Sequence, residues 1–484
     1  MPNSAADWIS GPFPQAHGTC STIEHFAPSY RESKAEKALP PNDDDKGAAV
    51  PTGRVARLMR FGGIGAGIAG GVAAGSLRAL ARGTRPDLAQ LLLTPANTLR
   101  LTDGLSHLRG AALKLGQMLS MDTGLVLPGE LTAILGRLRD DARPMPPKQL
   151  QTVLNAEWGA GWYSRFERFD VRPFAAASIG QVHRAILKDG RDLAIKVQYP
   201  GVRASIDSDI DNVATLLRVP GLLPRGMDLA PLMAEAKRQL HAEADYLAEA
   251  QHLARFGALL AGSPTFVLPA LHKDLCTPQV LAMTYVQSDP LENLTEAPQA
   301  LRDRVATALI DLVLRELFVF GAMQTDPNLA NYRYDPKTGR VVLLDFGAVQ
   351  VIDPALAADF RALLQVALDG GAEATRAAML RIGYFSADTA PHHQALIQSM
   401  FEAAMAPLRQ DGPFDFGRSD LLERLRDMGL AIGNDRELSH VPPPATLFLH
   451  RKIGGMYLMA VKLRAQVALR PLVEAYRHKD IAPR

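Results

Sequence analysis

The stretch "MQTDPNLANYRYDPKTGRVVLLDFG", residues 323–347, decides how the rest of the chain is read. Asp326 precedes Asn331 by five residues, and Asp345 opens Asp-Phe-Gly beyond a short hairpin. Asp-Pro, Asn and Asp-Pro-Lys-Thr-Gly are ordinary turn chemistry, so a pair of turns accounts for each piece alone. An acid, an amide and a second acid around one hairpin also match the oxygen groups of metal-assisted phosphoryl transfer. The flanking sequence separates these two readings.

Upstream, the period changes near Phe166. "RFERFDVRPFAAASIGQVHRAIL" and "RDLAIKVQY" predict two strands joined by a loop, a turn at Lys188-Asp189-Gly190, and a third strand. Lys196 lies on that third strand in "LAIK", the context in which a kinase lysine meets nucleotide phosphates; a lysine at a solvated strand edge is the simpler alternative. The loop Ala175, Ala176, Ala177, Ser178, Ile179, Gly180, Gln181 stands where a kinase carries its Gly-rich loop. Small side chains there let backbone amides approach phosphate, and alanine makes the loop stiffer than glycine would.

A long helical region over about 228–260 follows, with "HAEADYLAEAQ" inside it. A kinase lysine needs a carboxylate partner on the next helix, and Glu243, Asp245 and Glu249 are the candidates. On one helix, six residues turn about 600°, so Glu243 and Glu249 are expected on different faces with different partners. Two further strands, "TFVLP" and "QVLAMTYV", lead into an amphipathic helix at about 298–321 and then the opening stretch. The order strand, small-residue loop, strand, strand with Lys, helix with Glu, two strands, helix, D-x-x-x-x-N, hairpin, DFG is far more specific than any member.

Composition bounds the rest. The chain has 484 residues, 47% apolar and 21% charged, with a formal net charge of +2. That is a globular balance, with no electrostatic signature of nucleic-acid binding. Cys20 and Cys276 fit no metal-ligand spacing and indicate a reducing compartment. Residues 1–50 lack periodicity and contain one arginine and seven acids, which predicts a disordered segment rather than a secretory or transit peptide.

Residues 61–77, "FGGIGAGIAGGVAAGSL", are uncharged and bracketed by Arg54, Arg57, Arg60, Arg78, Arg82 and Arg85. Gly63, Gly67, Gly71 and Gly75 form one helical stripe. Such a stripe suits membrane association or helix pairing, whereas in water the glycines favour a linker. From about Leu99 to Asp122 the pattern is helical, and Lys114 and Gln117 in "LKLGQ" share one side of that helix. Further helices are expected at about 130–139 and 147–157.

These features together resemble the UbiB/ADCK family of atypical protein-kinase-like proteins, which support ubiquinone (coenzyme Q) biosynthesis. The resemblance runs over about residues 50–480. It is carried by "KLGQ" at 114–117, "AAASIGQVH" at 175–183, "AIKVQYPGV" at 194–202, "EAD" at 243–245, "QTDPNLAN" at 324–331 and "LLDFGA" at 343–348. "QTDPNLAN", the Gly-rich segment and "PPPATLFLHRKIGG" resemble the mitochondrial coenzyme Q branch in particular.

The resemblance implies roles. Lys196 contacts nucleotide phosphates, with Glu249 as its salt-bridge partner, and Asp326 takes the position of the catalytic-loop acid. Asn331 and Asp345 hold Mg²⁺ against ATP, and Ala175, Ala176, Ala177, Ser178, Gly180 and Gln181 form the nucleotide loop. Lys114 and Gln117 cover the cleft, with Glu243 or Asp245 holding Lys114. Gln324 and Thr325 replace the His and Arg of ordinary protein kinases, and no Ala-Pro-Glu follows DFG, so transfer to protein substrates is not expected.

The expected fold is α+β: a two-lobed protein-kinase-like fold with a helical N-terminal extension. Its divisions are 1–50 disordered, 51–85 Gly-rich, 86–165 extension, 166–288 small lobe and 289–484 large lobe. The tail over about 353–475 reads as helical, and "HRKIGGMYLMAVKLRAQVALRP" as large-lobe core or, alternatively, a membrane or partner face. The expected function is a Mg-ATP-dependent atypical kinase or ATPase supporting ubiquinone biosynthesis. It would act on the cytoplasmic face of a bacterial inner membrane or the matrix side of the mitochondrial one. The partners implied are membrane lipid, ubiquinone precursors, the biosynthetic enzymes and a second copy through the Gly-rich helix. A silent nucleotide-binding scaffold is the alternative. A small-molecule phosphotransferase shares the acids but leaves "KLGQ" and the alanine loop unexplained.

Overall fold

Pro146 and Pro147 start helix α1 (Pro147–Trp158), since proline at the first helical position has its φ already set and needs no intrahelical N–H bond. Leu150, Val153 and Leu154 are its buried face. The computed structural model describes residues 144–217, 230–433 and 442–477. The readings on residues 1–50, on 61–77, on the helices before residue 144, and on Lys114 and Gln117 lie outside the described residues.

The small-lobe sheet follows, built from β1 (Phe166–Phe169), β2 (Ala175–Ala176), β3 (Gly180–Leu187) and β4 (Asp192–Gln198). Its order is β1-β3-β4 and then β6 (Val280–Thr284), antiparallel throughout, with β2 paired to the end of β3. The β3–β4 turn falls at the expected place. Gly190 takes φ 87°, a left-handed value open to glycine, and Asp189 accepts from the Arg191 amide at 3.1 Å.

Strand β4 is buried on both faces. Ile195 and Val197 join Leu150, Leu154, Leu187 and Val280 under α1, and Ala194 belongs to the core between the lobes. Period-2 alternation therefore turns Lys196 away from the α1 face and into the cleft. Each fully buried branched residue in these layers contributes about 1.5–3 kcal/mol.

Helix α2 (Val202–Leu217) comes next, then α3 (Ala230–Glu243) and α4 (Tyr246–Leu259). The single helix expected over 228–260 is thus two. Asp245 breaks it with φ −101° and ψ 82°, and its carboxylate caps α4 by accepting from the Ala248 amide at 3.0 Å. An aspartate that bonds a backbone amide two or three residues on competes with helix continuation. Glu243 and Glu249 diverge because of this break, not because of their spacing on one helix.

Helix α5 (Gln299–Arg315) passes into a π-helical turn, Glu316–Phe320. A second sheet has the order β5 (Phe266–Val267), β10 (Arg340–Leu343), β9 (Tyr332–Asp335), β7 (Asp289–Pro290). Strand β8 (Ala322–Gln324) pairs with β11 (Val349–Val351), so the residues leading into the catalytic loop and those following DFG are held together. The tail is helical, as expected: α6 (Pro354–Asp369), α7 (Ala372–Ile382), α8 (Pro391–Arg409), α9 (Leu421–Gly433) and α10 (Pro444–Lys462). The α10 residues Lys452, Met456, Met459 and Ala460 are buried, which makes this helix part of the large-lobe core. The fold is α+β and two-lobed, of the protein-kinase type.

Candidate active site

Lys196 sits at the centre of the cleft. Its ammonium donates to both oxygens of Glu249, at 2.8 and 2.9 Å, and lies 3.6 Å from Asp345 Oδ2. The Tyr246 ring is 5.0 Å away. Burial alone would lower the lysine's pKa, but Asp345 and Glu249 together hold it well above the ordinary value, so it is charged. Burial pushes the Glu249 carboxyl up to about 7, against the pull of Lys196. Of the three candidate carboxylates, Glu249 is the one paired with Lys196.

Phe346 sets where Asp345 stands. Its ring is buried against Phe256 at 4.9 Å between centroids, and its carbonyl oxygen is 3.2 Å from His252 Nδ1. Asp345 Oδ1 accepts from the Gly347 amide at 2.9 Å. A methyl group on Gly347 would approach Asp345 Oδ1 to 3.3 Å and Glu249 Oε2 to 3.6 Å, so DFG lies directly against α4.

The hairpin in the opening stretch is real: β9 and β10 pair Leu343 with Tyr332. The ladder continues, with the Leu344 amide donating to the Asn331 carbonyl at 3.1 Å, which brings Asn331 beside Asp345. Asn331 Nδ2 in turn donates to the Asp326 carbonyl and to Asp326 Oδ2, both at 3.3 Å. Asp326, Asn331 and Asp345 are therefore brought together.

This donor set suits Mg²⁺ held jointly with nucleotide. Asn331 and Asp345 carry side-chain oxygens of the hard type that Mg²⁺ prefers, and no cluster of three or more His, Cys, Asp or Glu able to hold a metal occurs among the described residues. An ion that keeps waters and shares phosphate oxygens matches so few protein ligands.

The alanine loop is tighter than the sequence suggested. Ala175 and Ala176 pair with Val182 and Gln181 as strand, and the Ala177 amide bonds the Gly180 carbonyl at 2.9 Å, leaving a short hairpin tip. Ser178 at that tip donates to Glu243 Oε2. Gly180 is there for packing: a Cβ would stand 2.4 Å from the Val197 carbonyl oxygen and 2.8 Å from the Tyr246 hydroxyl.

Gln181 is not brought to the cleft. It is buried on the α1 side of β3, where Oε1 accepts from the Met145 amide at 2.9 Å and Nε2 meets His183 Nε2 at 2.9 Å. That amide donates, so the imidazole is neutral with its proton on Nδ1, 2.8 Å from the Asp170 carbonyl. Asp245 faces its own helix as the α4 cap.

Several site residues carried no signal in their local sequence. Lys452 of α10 is fully buried and lies 3.2 Å from Glu316 in the π-helical turn. It donates to Tyr332 at 2.8 Å and to Gln324 at 3.1 Å. Burial raises the Glu316 carboxyl's pKa, with Lys452 opposing. In "LHRKIGG" such a lysine is indistinguishable from a solvated one. The π-turn, a form concentrated at functional sites, shows no sequence mark either.

Comparison with known proteins identifies the family. The ABC1 atypical kinase-like domain matches residues 137–379. Among curated relatives, "Atypical kinase COQ8, mitochondrial" of Saccharomyces cerevisiae is 36% identical over 88% of this chain and 85% of its own length. "Atypical kinase COQ8B, mitochondrial" of Rattus norvegicus is 35% identical over 94% and 86%. A solved structure, described as the Rv3197–erythromycin complex from Mycobacterium tuberculosis, superposes with a TM-score of 0.52 at 25% identity. It covers 80% of this chain and 97% of that one. The chain belongs to the ABC1, or UbiB/ADCK, family of atypical kinases, on the side of the coenzyme Q kinases.

Proposed function

We propose that this chain turns over Mg-ATP at a membrane surface in support of ubiquinone biosynthesis. The phosphoryl group passes to water or to a small or lipid-like acceptor rather than to protein. The observation that carries the reading is Lys196 held between Glu249 and Asp345, with Phe346 seated behind them.

In the loaded enzyme Lys196 neutralises phosphate charge, and Glu249 keeps its ammonium on the cleft side of β4. Such positioned charge supplies most of phosphoryl-transfer catalysis. Asn331 and Asp345 would hold Mg²⁺, which supplies further neutralisation of the phosphates. Asp326 orients the acceptor oxygen. The hairpin tip at Ala177 and Ser178 covers the nucleotide, tied back by Glu243.

Among the described residues no helix is long and apolar enough to cross a membrane. The membrane part of the proposal rests on residues 61–77 and their flanking arginines, which also suit pairing with a second copy. The surface would be one that ATP reaches, a property common to the bacterial cytoplasmic face and the mitochondrial matrix face. Ubiquinone precursors and the enzymes that process them are the partners this implies.

The test is phosphate release from Mg-ATP by the full chain, with and without anionic liposomes, beside Asp345→Asn. Lipid-stimulated release that the substitution abolishes supports the reading. No release from either protein, with ATP still bound, replaces it with a silent scaffold.

A further inference from the structure

Helix α10 reaches the catalytic loop at three positions. The Arg451 guanidinium donates twice to the Thr325 carbonyl, at 3.1 and 2.9 Å. Lys452 donates to Gln324 Oε1 at 3.1 Å, and Gln324 Nε2 donates to the Asp326 carbonyl at 2.7 Å. Gly455 lies so close to Pro327 that a Cβ would stand 2.1 Å from the proline's Cβ. Positions 451, 452 and 455 share one face of a helix, and they meet Thr325, Gln324 and Pro327.

Lys452 has the most constrained chemistry of the three. An ammonium carries three N–H donors, and Gln324, Tyr332 and Glu316 surround it at 3.1, 2.8 and 3.2 Å. Tyr332 also donates to Gln324 Oε1 at 3.1 Å, so the Gln324 amide is held with its oxygen toward α10 and its nitrogen toward Asp326. A buried ion pair adds little stability over apolar side chains of the same volume. Its place directly behind the loop gives it a different task.

We propose that Lys452 is a positioning residue for phosphoryl transfer: through Gln324 it fixes the Asp326 carbonyl and hence the loop that carries Asp326 and Asn331. The proposal rests on the reading of the cleft as an ATP-turnover site. It makes α10, 120 residues beyond Tyr332 in sequence, part of the catalytic apparatus without touching substrate.

The test uses the full chain with Lys452→Met and Glu316→Gln combined, which removes the buried charge pair without stranding either half. Steady-state phosphate release is measured as a function of ATP, together with hydrogen exchange of residues 324–331 and of α5. A roughly 100-fold fall in kcat is expected, as for a displacement of about 1 Å at a reacting group. KM for ATP stays near wild type, and faster exchange is confined to 324–331.

Gln324→Leu added to the pair should lower kcat little further, because both changes cut the same link. Wild-type kcat in the double variant, additive effects, or exchange that rises equally throughout α5 overturns the proposal. If the wild-type protein itself releases no phosphate, the turnover reading has failed. The exchange data then decide alone: loosening confined to the loop supports the positioning link, and unchanged or uniform exchange refutes it.

Discussion

Replacing Glu249 by glutamine tests whether Lys196 answers to two carboxylates. Removing one partner of a buried ion pair usually costs about 3–5 kcal/mol, because an uncompensated charge remains. Here Asp345 stands 3.6 Å away. At an effective dielectric of about 20, unit charges at that distance attract by about 4.6 kcal/mol, and at the 2.8 Å of the Glu249 contact by about 5.9 kcal/mol. The attraction to Asp345 remains and tightens as the gap closes, and the substitution also removes the cost of burying the Glu249 charge. The lysine is therefore not stranded, and we expect a loss of about 1–2 kcal/mol in urea unfolding, below that of an uncompensated charge.

Activity should behave differently. Once drawn onto Asp345, the ammonium leaves its phosphate-facing position and neutralises a proposed metal ligand. Phosphate release should then fall by about two orders of magnitude, the usual consequence of misplacing a reacting group by about 1 Å. Unchanged turnover would remove the Lys196–Glu249 pair from the mechanism. A stability loss of the full 3–5 kcal/mol would show that Asp345 does not share the lysine.

Phe346→Ala should lose about 3–5 kcal/mol in denaturant unfolding by opening a cavity beside Phe256, and should also slow phosphate release by freeing Asp345. Gly180→Ala should destabilise the small lobe by about 1–3 kcal/mol, since its Cβ would meet the Val197 carbonyl at 2.4 Å; a neutral result by calorimetry would refute the close approach. Burial holds the His183 pKa below its ordinary 6.5. The neutral ring is therefore the folded form, and its contribution is complete above 6.5 and lost as pH falls from there toward the lowered folded value. Unfolding midpoints at pH 7.5 and 5.5 should differ less in His183→Asn than in wild type.

The sequence alone determined the order of the elements and the candidate residues for the chemistry. Lys196, Asp326, Asn331 and Asp345 were identifiable because each sits in a short motif whose spacing reflects local backbone geometry: strand, turn, hairpin. Helical periodicity placed α1, α5 and the tail for the same reason. Tertiary structure decided what depends on distant partners or on competition between near-equal local states.

The break at Asp245 was invisible because "HAEADYLAEA" has helix-forming residues on both sides, and only the cap on Ala248 tips the balance. The turn of Gln181 away from the cleft depends on Met145, 36 residues earlier. Lys452 acquires its meaning from Glu316 and from Gln324, 128 residues away. A charge is read as solvated until folding removes the water around it, and that removal is a property of packing rather than of neighbours in the chain.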